Sequence, residues 1–162
     1  EDDRSRVRAN TVNILEVAGM LDWIREVGRN NGPGVRMCLA VTDNKPPDPW
    51  CAAFVSTVVL LAFAGKPPFR LSAGCKELLA VAAAKGMQVS APCAPGLFFR
   101  LAADGSPQHV GFVSAVSGTT FETIEGNASD PSQPPTSEGW GVFRRMRDST
   151  TSRYAFVDLE PR

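Results

Sequence analysis

The sequence predicts an α+β domain in which N-terminal helices pack on one side of an antiparallel sheet. Two observations carry that expectation. Up to Gly86 the apolar residues recur at three- and four-residue intervals or lie in alanine- and leucine-rich stretches, the texture of helices. After Gly86 short apolar or alternating runs are separated by Gly, Ser, Pro and Asp, the texture of strands and turns. With 162 residues, 43% of them hydrophobic, the chain can bury one substantial core, and its length points to one domain rather than two.

The elements follow in chain order. Glu1 to Arg8 is charged, with Arg4, Arg6 and Arg8 among acids, so residues 1–9 read as a solvated tail and residues 10–162 as the folded domain. Ile14, Val17, Leu21 and Ile24 define one face of a helix expected from Asn10 to Val27. Asn30, Asn31, Gly32, Pro33 and Gly34 force a loop, and Val35 to Val41 forms a short helical piece before the polar loop Thr42 to Asp48. Asp48 and Pro49 read as a helix start. Proline suits the first helical position and pushes the residue before it toward the extended geometry of a cap. That helix is expected from Pro49 to Ala64, ended by Gly65, Pro67 and Pro68. Ser72 is read as the cap of another helix running to Lys85 and closed by Gly86. Strands are expected at Leu97–Leu101, His109–Val116, Thr120–Glu125, Gly141–Arg147 and Tyr154–Leu159, joined as a meander whose longest loop is Asp130 to Gly139.

Composition excludes several classes. The 17 basic and 17 acidic side chains cancel, so no net field draws the chain to nucleic acid, and nucleic-acid binding is not expected. The longest apolar run, Cys51 to Ala64, is interrupted by Ser56 and Thr57 and falls short of the roughly 20 residues of a membrane span. Cys38, Cys51, Cys75 and Cys93 contain no C-x-x-C pair, and one histidine beside them offers no zinc-ligand spacing, so no metal is expected. In an oxidising compartment a Cys75–Cys93 bridge is open to the chain.

The chemistry centres on Cys51. A thiol is a useful nucleophile as thiolate, and a helix N-terminus favours negative charge through its unpaired N–H groups and aligned dipoles. Cys51 falls in the first turn of the expected Pro49–Ala64 helix, where its own N–H is free to face an oxyanion. A nucleophilic cysteine needs a base, and His109 is the one histidine in the chain. It opens a strand, and a strand end is where a base can meet a helix end. A third group usually orients the imidazole, and the next strand ends in Glu125, Gly126 and Asn127. Glu125 and Asn127 point the same way in a strand, so both are candidates, with Glu125 the favoured one. Trp50 is a candidate wall of the substrate cleft, or core, and Gln108 a candidate substrate contact.

The segments Asn30-Asn31-Gly32-Pro33, Pro49-Trp50-Cys51-Ala52-Ala53-Phe54-Val55, His109-Val110-Gly111-Phe112-Val113 and Ile124-Glu125-Gly126-Asn127 resemble the ordered motifs of the CHAP/NlpC-like cysteine peptidases and amidases that act on bacterial cell walls. Gly141 to Arg147 is similar to a late strand of the phage- and bacteria-borne branch, so the likeness spans Asn30 to Arg147. The tryptophan-cysteine motif is its most specific part. The resemblance implies a papain-like fold, with Cys51 as nucleophile, His109 as base and Glu125 or Asn127 orienting it. It implies hydrolysis of an amide in a peptidoglycan stem peptide or cross-bridge, by a monomer needing no cofactor. Secretion, periplasmic export, or delivery by a phage or toxin system would place such a domain at the wall. Two departures bear on substrate fit: relatives commonly carry glycine where Gln108 stands, and aspartate where Leu97 follows Pro95-Gly96. Other readings of the same residues are a binding module without turnover and a different cysteine enzyme, such as an acyltransferase, deamidase or toxin-type amidase.

Overall fold

The structure, a computed structural model, describes residues 14–132 and 139–160. The expected tail over residues 1–9, the first residues of the opening helix and the middle of the Asp130–Gly139 loop lie outside the described residues. Four helices, α1 (described over residues 14–20), α2 (Pro33–Val41), α3 (Cys51–Ala62) and α4 (Cys75–Ala84), precede a six-stranded antiparallel sheet. Its strands are β1 (Gln88–Val89), β2 (Gly96–Leu101), β3 (Pro107–Ser117), β4 (Thr120–Ala128), β5 (Gly141–Asp148) and β6 (Tyr154–Asp158), in the order β1-β6-β2-β3-β4-β5. The α+β class is thus as expected. No described helix is long and apolar enough to cross a membrane.

The meander expectation holds for β2 to β5 and fails for the last strand. Rather than following β5, β6 returns to the far side of β2. The reason lies in its own residues: Ala155, Phe156 and Val157 are buried in succession, so both faces of the strand need cover, which an inner strand receives. β1, too short to register as a sequence pattern, completes the edge beside β6.

Strand alternation sorts the core. Leu97, Phe99, Val110, Phe112, Ile124 and Val157 face the helices and join α3 in the main cluster. The intervening Phe98, Val113, Phe121 and Phe156 gather with Tyr154 in a second cluster. On that second side the guanidinium of Arg147, on β5, lies 4.9 Å from the ring of Phe98, on β2, with two strands between them. The sheet is therefore strongly curled, and side chains from distant strands meet across its concave face.

The central helix α3 is buried on nearly every side from Cys51 to Val59. Its two hydroxyls are satisfied internally: Thr57 donates to the Ala53 carbonyl at 2.8 Å, and Ser56 donates to the Ser72 carbonyl at 2.9 Å while accepting from the Ser72 amide.

Several helix boundaries differ from expectation, among them that of α2, which starts at Pro33 inside the expected Asn30–Gly34 loop. α1 ends well before Val27, because Glu26 donates to the Trp140 carbonyl and the Ile24 carbonyl accepts from Val142, turning residues 24–26 into a partner for the start of β5. Ile24 stays buried, whereas Val27 is 69% exposed. Helix α3 starts at Cys51 with Trp50 in the cap position, not at Pro49 after an Asp48 cap. The Asp48 carboxylate is engaged locally by the Asn44 amide group and the Lys45 backbone N–H. Helix α4 starts at Cys75, with Gly74 rather than Ser72 as cap, since the Ser72 hydroxyl accepts from the Gly74 amide in the preceding turn.

Candidate functional site

Cys51 is the first residue of α3, and the turn ahead of it is braced by side chains. The carbonyl of Trp50 accepts from the Phe54 amide at 2.8 Å, closing the first helical turn. The Trp50 indole donates to one carboxylate oxygen of Glu26 at 2.9 Å, and the other oxygen accepts from the Asn30 amide. The Asn30 side chain in turn donates to the Pro47 carbonyl at 2.8 Å. The Asn30-Asn31-Gly32-Pro33 segment is thus part of the scaffold of the helix start. Gly32 sits at φ 120°, and a Cβ there would lie 3.0 Å from the Val27 nitrogen, which is why glycine occupies the turn. Trp50 is wholly buried, so the expected cleft wall is corrected to a core residue that fixes the approach to Cys51.

The candidate base, His109, comes from β3. His109 is 9% exposed, and its Nε2 lies 2.7 Å from Oε1 of Glu125 on β4. Glu125 has no exposed surface, and Arg147 grips it with both Nε and Nη2 at 2.7 Å while the Thr123 hydroxyl donates to Oε2. Gly111 explains how the carboxylate reaches the imidazole: a Cβ there would lie 2.8 Å from Glu125 Cγ and 2.8 Å from Phe98 Cε1. The absent side chain leaves the lane along which Glu125 extends to His109, while the Phe98 ring packs 6.0 Å from the imidazole. Between the two candidate orienting residues the geometry selects Glu125. Asn127 lies in the irregular part of β4, where the register with β5 shifts, at φ 52°. An asparagine suits that left-handed position.

With Nε2 committed to Glu125, Nδ1 is the nitrogen left to hydrogen-bond Cys51. The electrostatics of the pair run in opposite senses. Cys51 is held well below the ordinary thiol range, first by a hydrogen bond from Cys75, then, against the penalty of burial, by the hydrogen bond and charge of His109. Burial pulls His109 down, but its bonds to Cys51 and Glu125 and their charges outweigh it and push it up to about 9. Glu125 resists burial in the same way: Arg147 and His109 keep its carboxyl well below the usual carboxylate range. Cys51, His109, Glu125 and Arg147 thereby form an alternating chain of negative and positive charge.

Of the residues expected from sequence, Cys51, His109 and Glu125 come together. Gln108 is exposed beside His109. The three remaining cysteines, to which the sequence assigns no state beyond a Cys75–Cys93 bridge in an oxidising compartment, are all free thiols. Cys75 lies with its Sγ 3.6 Å from that of Cys51, and Cys93 with its Sγ near the Val157 carbonyl, so the Cys75–Cys93 bridge does not form. Cys38 is buried, and burial pushes its thiol up to about 11. Sequence reasoning gives Arg147 and Thr123 no role at the site, and Cys75 only that of a disulfide partner of Cys93. Arg147 carries the faintest of signals, a third arginine in a strand that already holds Arg144 and Arg145. Among the described residues no group of three or more His, Cys, Asp or Glu side chains is placed to hold a metal ion. No family model matches the chain, and no match is found among curated proteins or solved structures.

Proposed function

We propose that this protein is a cysteine amidase or peptidase on a papain-like, NlpC/CHAP-type fold, hydrolysing an amide bond in the stem peptide or cross-bridge of peptidoglycan. The observation that carries the reading is the pairing of a first-turn cysteine of lowered pKa with a histidine that a buried, arginine-clamped carboxylate holds 2.7 Å away through its other nitrogen. That is the arrangement a thiol hydrolase needs: nucleophile, base and orienting group in series. The choice of the cell wall rests on the four motifs and their order in the sequence.

In this mechanism the Cys51 thiolate attacks the carbonyl carbon, and the resulting oxyanion is met by the Cys51 backbone N–H, which has no acceptor inside the helix at this position. The C–N bond then breaks as the His109 imidazolium donates its proton to the leaving amine, giving a thioester. Neutral His109 next takes a proton from water, which attacks the thioester and releases the carboxylic acid and the Cys51 thiolate. Throughout, Glu125 fixes the ring and stabilises its charged form, and Gln108 is positioned at the rim to meet substrate.

Mass spectrometry of soluble fragments released from purified peptidoglycan tests this, with Cys51→Ala and His109→Ala beside the native protein. Defined amide-cleavage products lost in both variants are the expected result, and they name the bond. No release from several wall chemotypes by folded native protein would overturn the wall substrate and favour a binding module or another acyl substrate.

A further inference from the structure

Two helix starts converge at the site. Cys51 opens α3 and Cys75 opens α4, and their sulfurs are 3.6 Å apart. Cys75 is partly exposed while Cys51 retains 6% exposure, so a small oxidant can reach the pair. A disulfide is about 2.05 Å long, so closure asks the sulfurs to approach by about 1.5 Å, a displacement small enough for side-chain rotation at both residues. The two thiols also have complementary protonation. The bond to Cys51, burial, and the charges of Cys51 and Glu77 all keep Cys75 in its thiol form, donating S–H to the Cys51 thiolate.

We propose that Cys51 and Cys75 form a modification site for hydroperoxides, at which Cys51 is oxidised and Cys75 closes a reversible disulfide over the nucleophile. In the first step the Cys51 thiolate attacks the terminal oxygen of the peroxide. The S–O bond forms, the O–O bond breaks, and the departing hydroxide or alkoxide takes a proton from the His109 imidazolium, leaving Cys51 as a sulfenic acid. Sulfur has lost two electrons and the peroxide has gained them. Cys51 now bears no charge, which removes the strongest influence holding the proton on Cys75. In the second step the Cys75 sulfur attacks that of Cys51, the S–S bond forms, and hydroxide leaves with the Cys75 proton as water. The site uses the nucleophile of the proposed reaction and needs no amide substrate. Cys38 is buried and poorly ionised, and Cys93 lies against the Val157 carbonyl of β6, which leaves Cys75 as the resolving thiol.

The test treats the reduced full chain, freed of reductant, with graded hydrogen peroxide, and follows intact mass and the peptides of a non-reducing digest. The native protein is expected to lose two hydrogens, localised by tandem fragmentation to a Cys51–Cys75 cross-link and reversed by dithiothreitol. Cys75→Ser is expected instead to gain two or three oxygens on Cys51, which dithiothreitol does not remove. Oxygen addition to Cys51 in the native protein without a cross-link, or pairing of Cys51 with Cys38 or Cys93, would overturn the proposal. The native measurement needs no variant, so poor folding of Cys75→Ser leaves the test decisive. Cross-linking by a protein that releases no wall fragments would keep this site and remove the wall-hydrolase reading.

Discussion

Replacing Glu125 by Gln removes a charge from a wholly buried side chain while keeping its shape. In the native site Cys51 and Glu125 together lift His109 from its ordinary 6.5 to about 9, against burial. That gap corresponds to about 3 kcal/mol of preference for the imidazolium form. Without the carboxylate's hydrogen bond and charge, the high titration step of the Cys51–His109 pair moves to lower pH in the variant. The sign for stability follows: a raised histidine contributes fully below 6.5 and loses that contribution as pH rises through about 9, so in the variant the contribution is smaller and its loss, starting from the same 6.5, is complete at lower pH. A second effect accompanies it. Arg147, its side chain 15% exposed, loses its bidentate carboxylate and faces a neutral amide, at a cost of about 3 kcal/mol. Adding Arg147→Met removes that orphaned charge and is expected to restore most of the stability without restoring the titration. Because the chain has one histidine, NMR of the imidazole carbon-bound protons follows its titration without interference. Urea unfolding measures the second effect in the same three proteins. An unchanged titration in Glu125→Gln would refute the role assigned to the carboxylate, and a double variant as unstable as the single one would refute the account of Arg147.

Two further substitutions probe the scaffold. Gly126→Ala places a methyl 2.5 Å from Phe54 Cβ, which is close to the helix backbone and cannot swing aside. It is expected to cost about 1–3 kcal/mol in urea unfolding and to slow iodoacetamide alkylation of Cys51, and an effect on neither would show that α3 does not depend on this contact. Trp50→Phe deletes the indole bond to Glu26 and is expected to cost about 1–3 kcal/mol. Glu26→Gln, which keeps an acceptor, should cost less by the same assay; equal costs would mean that the helix start depends on the negative charge of Glu26 and not merely on an acceptor for the indole.

What was legible in the sequence was local. Cys51 announced itself by standing at the head of an apolar helix, and His109 by being the one histidine. Glu125 and Asn127 were not separable, because residues two apart share a side of an ideal strand. The break came from Gly111, whose missing side chain opens a path to one of them, and from the register shift that takes Asn127 out of the ideal geometry. Arg147 was out of reach, since its partners sit on other strands and meet it only because the sheet curls. Cys75 is the same case in the helical layer: nothing near residue 75 indicates that its helix begins where another one does. The Asp48 cap failed for a different reason. Its carboxylate accepts from the Asn44 side chain and the Lys45 backbone N–H in the preceding turn, and not from the helix, which Trp50 caps.

Glu125 and Gly126 are neighbours in one strand, and because successive residues point to opposite sides, the first reaches His109 while the second seats Phe54 of the helix that Cys51 opens. A single peptide unit therefore serves as the common reference for both halves of the site. The distance between Cys51 and His109 is insulated from changes elsewhere in the sheet, since whatever displaces β4 carries the supports of both together. The same economy makes the strand intolerant of slippage. An inserted residue between positions 125 and 126 would turn one of the two contacts to the wrong side, and the insertion would be read as a lost site even in a protein whose core remained intact.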